Sequence, residues 1–101
     1  MAAHDMFLAM VLTNAKRKEA CSLTLVVDRA QPRIDMQFLD GSTQPLVPPP
    51  PEVLLQIITG LEQGQREFSS SVFAATIEDV AVQRGPDSMR AHIAAWSIEH
   101  C

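Results

Sequence analysis

The sequence predicts an α+β fold, two helices packed on a mainly antiparallel sheet of four to five strands, in the order α-β-β-(β)-α-β-β. Three observations carry that expectation. Two stretches repeat apolar residues at helical spacing, one near the amino terminus and one after a run of prolines. The remaining segments alternate apolar and polar side chains, as half-buried strands do. Turn-forming residues separate neighbouring alternating segments, so strand follows strand through short connections. Helices laid on one face of an antiparallel sheet satisfy this order simply.

The first helix is expected over residues 5–19, opened by Asp5 as an N-cap. Met6, Phe7, Met10, Val11 and Asn14 share one face, with Leu8, Leu12 and Ala15 beside it. Lys16, Arg17 and Lys18 close it, cations suited to the negative end of a helix dipole. Residues 22–28 are rich in β-branched side chains and read as a strand. A turn at Asp28–Pro32 leads to a second strand over 33–39, where Ile34, Met36 and Phe38 alternate with Arg33, Asp35 and Gln37. Asp40-Gly41 is a strong turn signal, and a short strand at 44–47 continues the meander. Pro48 to Pro51 lack amide protons and stop any ladder, so they read as a rigid lead-in with a proline in the first helical turn. The second helix carries Val53, Leu54, Ile57, Ile58 and Leu61 on its apolar face and stops at Gly64. Residues 66–71 read as loop. Two final strands, about 72–83 and 88–96, flank a turn at Arg84–Asp87, with a bulge expected near Glu78-Asp79. In the last strand Met89, Ala91, Ile93 and Ala95 are expected on one face and Arg90, His92, Ala94 and Trp96 on the other.

The 101 residues suit one domain, with 47% hydrophobic and 20% charged residues, which is globular composition rather than disorder. A net charge of −4 disfavours nucleic-acid binding, whose affinity comes largely from cations neutralising phosphates. No apolar run approaches the length needed to span a bilayer, so no membrane insertion is expected, and cytosol is the expected compartment. Cys21 and Cys101 stand too far apart for a ligand or redox motif, and Cys21, beside an apolar run, is expected to be buried. Four scattered glycines form no phosphate-cradling loop. His4, His92 and His100 are not at ligand spacing, and Ser69-Ser70-Ser71 has no local base. Neither a catalytic residue, a metal nor a cofactor is expected, and the expectation is a non-enzyme.

Several strings resemble the domain that precedes the motor core in type II secretion and type IV pilus assembly ATPases. A family string of the form K-G-A-S-D-I-H-I-E-P falls where this chain has Lys18 to Val27, KEACSLTLVV. A strand closing in R-x-R-x-D-G is matched by Arg33 to Gly41, which keeps the final Asp-Gly. A proline-rich lead into a helix is matched by Leu46 to Leu55, an E-R-R-x-P-x-D-G-R loop by Gln65 to Ser71, and a strand like D-L-R-V-S by Ser88 to His92.

The resemblance implies a single domain over 1–101 with that domain's scaffold, present as a stand-alone copy without a Walker motif. In the family, arginines of this domain reach nucleotide held by the motor. Here the R-x-R positions hold Met36 and Phe38, or Asp35 and Gln37 one residue out of register, and Glu67 stands at the loop's second arginine. Only Arg66 and Arg90 remain as phosphate contacts. The resemblance therefore implies a non-catalytic docking or regulatory module, whose partner is a protein, such as a secretion or pilus-type ATPase, or a second copy of the chain. Val26 and Leu39 put apolar surface on a face the family keeps polar, and Trp96 is a third candidate partner contact. Two alternatives stand beside docking: a small-ligand sensor with a cavity lined by Met6, Met10, Met36 and Phe38, and a remnant nucleotide-binding module using Arg66 and Arg90. An enzyme of unrecognised type is the last reading weighed.

Overall fold

A computed structural model describes residues 3–100. Its elements are α1 (Ala3–Arg17), β1 (Ser22–Asp28), β2 (Gln31–Gln37), β3 (Thr43–Leu46), α2 (Pro51–Glu62), β4 (Glu67–Ser69), β5 (Phe73–Arg84) and β6 (Ser88–His100). The class is α+β as expected, but the sheet has six strands, in the order β3-β2-β1-β6-β5-β4 and antiparallel throughout. The sixth strand is β4, in the segment expected as loop. Phe68 buries its ring there, and the strand pairs with β5 through Phe68 opposite Ala75. A serine-stabilised turn closes that hairpin: Ser70 Oγ accepts from the amides of Val72 and Phe73.

Alternation decides which face of the sheet is covered. Leu23, Leu25 and Val27 of β1, Ile34 and Met36 of β2, and Met89, Ala91 and Ile93 of β6 form one core with Leu8, Ala9, Leu12 and Ala15 of α1 and Leu54, Ile57, Ile58 and Leu61 of α2. One strand face thus faces both helices, and the side chains that alternate with these stand on the opposite, uncovered face.

The bulge in β5 changes what the last strand shows. Ile77 lies opposite Trp96, Asp79 opposite Ala95 and Val80 opposite Ile93, so Glu78 and Ala94 are both skipped by the ladder. The skip inverts the side-chain alternation in both strands. Trp96 consequently moves to the covered face, in line with Met89, Ala91 and Ile93, rather than joining Arg90 and His92. It is 3% exposed, and its indole Nε1–H donates to the carbonyl of Leu12 in α1.

Both helices end on the same device. In α2, Gly64 (φ 103°) donates to Leu61 O and Gln65 to Gly60 O, a Schellman motif with glycine in the left-handed position. In α1 the corresponding bonds run from Glu19 to Lys16 O and from Ala20 to Ala15 O, with Glu19 left-handed at φ 63°. This motif ends α1 two residues earlier than expected. At its start Asp5 lies inside the first turn, not at the cap, and accepts from Gln65 Nε2 at 2.9 Å. A proline stands in the first turn of α2 as expected, but it is Pro51 rather than Glu52 that opens the helix.

The sheet's outer edge at β3 is blunted by proline. Phe38 N donates to Ser42 O, which makes Met36/Gln44 and Ile34/Leu46 the hydrogen-bonded pairs. Pro45 therefore falls at a position whose amide would have faced outward, and its missing N–H weakens the edge as a template for another strand.

Candidate interaction surface

The uncovered face is built mainly from β2, β1, β6 and β5. Across it run two rows fixed by register: Arg33, Val26, Arg90 and Gln83, and beside them Asp35, Thr24, His92 and Ala81. Ser22 and Thr24 are buried although no helix covers them, 8% and 4% exposed, because the longer side chains of neighbouring strands lean over them. Ser22 Oγ donates to Gln37 Oε1 at 2.9 Å and Thr24 Oγ1 to the same oxygen at 3.2 Å. Thr24 Oγ1 also lies 3.0 Å from His92 Nδ1. A hydroxyl carries one proton, so once Thr24 gives it to Gln37, His92 must donate from Nδ1. Both hydroxyls, Gln37 Oε1 and His92 Nδ1 then all have partners. The arrangement rigidifies the middle of the face and leaves Thr24 bound on both sides rather than activated as a nucleophile.

Charge on this face is partly matched. Arg33 Nε pairs with Asp35 Oδ2 at 2.9 Å. Arg90 makes no ion pair among the described residues, where the remaining pairs are His4–Asp5 and Arg84–Glu62. Val26 lies between Arg33 and Arg90 as a half-buried apolar spot flanked by cations.

The expected site residues separate on the fold. Val26 and Arg90 share the uncovered face. Leu39 is 93% exposed, but it sits in the β2–β3 turn, six residues beyond the Arg33 that faces Val26, so the two make no continuous apolar patch. Trp96, expected among the partner contacts, is a core anchor under α1. Arg66 points to the helix side: its Nη1 donates to Leu61 O and Gln65 O, closing the C-terminal end of α2. Arg66 and Arg90 thus stand on opposite faces of the sheet and do not converge on one phosphate. The methionine cavity does not form either. Met36 is sealed in the core, whereas Met10 is 60% exposed. Cys21, expected to be buried, is exposed in the turn before β1, with Sγ against Gln37 O. Cys101 lies outside the described residues.

Among the described residues no group of three or more histidine, cysteine, aspartate or glutamate side chains could hold a metal ion, and no helix is long and apolar enough to cross a membrane. The polar cluster of Ser22, Thr24, Gln37 and His92 escaped sequence reasoning. Its signal was the polar half of the β1 alternation, but β1–β6 adjacency brings Thr24 to His92, and that pairing spans most of the chain. No protein-family model matches the chain, and no curated protein matches it.

Proposed function

We propose that this chain is a non-catalytic interaction or regulatory module that docks on a protein partner through the uncovered face of its sheet. The observation that carries the reading is the one-sided packing of the helices. A four-strand-wide surface is left open, held rigid by a satisfied polar cluster and centred on Val26 between two arginines. A rigid, mixed surface with an apolar centre and a polar surround is the usual composition of a non-obligate interface. The resemblance to the domain preceding the motor core of secretion and pilus ATPases names the first partner to test, a motor subunit of that class. The separation of Arg66 from Arg90 weighs against reading the chain as a nucleotide-binding remnant that uses both.

The test is site-specific photocrosslinking in the cells of origin, with the photoreactive residue at Ala81 on the open face or at Gln56 on α2, both exposed positions. The expected result is a discrete protein adduct from Ala81 and none from Gln56. An adduct with a motor ATPase identifies the partner the resemblance suggests, and an adduct with a second copy identifies self-association. No adduct from Ala81, or equal adducts from both positions, would overturn the reading.

A further inference from the structure

The helix side of the molecule carries a second feature, independent of the docking face. Three of the chain's eight lysines and arginines stand together at Lys16, Arg17 and Lys18, on a protein of net charge −4. None of the three pairs with a carboxylate among the described residues. They are not needed to cap α1 either, because the amides of Lys18, Glu19 and Ala20 already take the carbonyls of Asn14, Lys16 and Ala15. Beside them opens a cleft lined by Thr13, Lys16, Arg17, Phe73, Ile98 and His100.

The walls of this cleft are apolar and its rim is cationic. Phe73 and His100 pack with their rings tilted at 57° and centroids 4.8 Å apart, and Ile98 continues the apolar wall. The Arg17 guanidinium lies 5.5 Å from the Phe73 ring centre, and Lys16 Nζ lies 5.3 Å from that of Trp96. Lys16 spends one donor on Trp96 O. Arg17 makes no side-chain hydrogen bond or ion pair to the described residues, where the arginines that do so are Arg33, Arg66 and Arg84. A guanidinium held over an aromatic face still presents its N–H fork to an anion. The Thr13 hydroxyl is already given to Ala9 O, so it adds shape and no donor.

We propose that this cleft binds a carboxylate carried on an apolar body, with the anion on Arg17 and Lys16 and the body against Phe73 and Ile98. A small organic acid and the free carboxyl terminus of a peptide ending in an apolar residue offer the same chemistry. A few placed polar groups over an apolar wall is the composition of small-molecule sites. A charge-assisted bidentate contact to arginine would fix the carboxylate's orientation.

The test is titration of the full chain, followed by amide proton–nitrogen NMR, with four probes. These are phenylbutyrate, its neutral amide, inorganic phosphate, and an acetylated glycine-glycine-phenylalanine peptide with a free terminus. The acid, the peptide or both are expected to shift amides of residues 13–17, 73 and 98–100, with the neutral amide and phosphate leaving them in place. The tighter of the two carboxylates identifies the source. Arg17→Gln is expected to weaken binding by about tenfold or more, as loss of a charge-assisted contact does. Lys18→Gln, which removes an equal charge outside the cleft, is expected to leave affinity unchanged. Equal shifts with acid and neutral amide, no shift with either carboxylate, or equal weakening by both substitutions would overturn the proposal.

Discussion

Single side chains in this protein are often placed by a partner far away in sequence. Thr24 is an ordinary strand threonine until register brings His92 to its hydroxyl. Trp96 becomes a core residue only because a two-sided bulge turns it under α1. Neither placement can be read locally, since both depend on which strands become neighbours. A local pair shows the opposite case. In the β2–β3 turn the Ser42 hydroxyl donates to Asp40 Oδ1 at 2.6 Å and the Ser42 amide donates at 2.9 Å. Chiefly the hydroxyl, and then the amide, hold the Asp40 carboxyl below its ordinary value. A carboxyl depressed in the folded state adds stability that is present above its unfolded pKa and lost as pH falls through its folded one. Ser42→Ala should therefore lower the thermal midpoint at pH 7, and the difference from wild type should shrink as pH falls below the ordinary carboxyl range and through the depressed folded-state value. Midpoints for the two proteins across that range test it, and a difference independent of pH would contradict it.

At the scale of elements, two like devices are built from unlike residues. The helix ends use one hydrogen-bond pattern, but α2 places Gly64 in the left-handed position and α1 places Glu19 there. A side chain in that conformation costs about 1–2 kcal/mol relative to the right-handed region, a penalty glycine escapes. Glu19→Gly is accordingly expected to stabilise the protein by about 1 kcal/mol, after allowing for glycine's greater freedom in the unfolded chain. Gly64→Ala should destabilise it by a similar amount, and urea unfolding of the two variants measures both. The β1–β2 connection shows the same economy. Arg29 and Ala30 both have positive φ, at 52° and 62°, in a two-residue hairpin turn that usually selects Asn-Gly. The turn was legible from its place between alternating segments, whereas its strained type was not, because Arg-Ala carries no signal for it. The strands β1, β2, β3, β5 and β6 and both helices were legible because period and turn residues agreed. Strand β4 was not, since three residues cannot display a period and its burial rests on Phe68 alone.

For the molecule as a whole, the decisive property is asymmetry. Each apolar strand face found a helix, and each polar strand face was left open, so alternation written residue by residue becomes a two-sided body with one dry face and one wet one. The class of fold and the presence of Val26 and Arg90 in strands were legible from sequence. Their common face followed from the parity of their strands only once β1 and β6 were known to be adjacent. That adjacency also parted Arg66 from Arg90 and left Leu39 alone at a turn. The central claim is that the open face is where a partner sits. It is tested most directly by Val26→Asp, which removes the apolar centre while Arg33 and Arg90 on either side balance the new charge. The measurement is the yield of the Ala81 photocrosslink with and without this substitution, alongside the thermal midpoint of each protein. Loss of the adduct at a nearly unchanged midpoint is the expected result; an undiminished adduct would contradict the claim that the partner sits over the Val26 centre of this face.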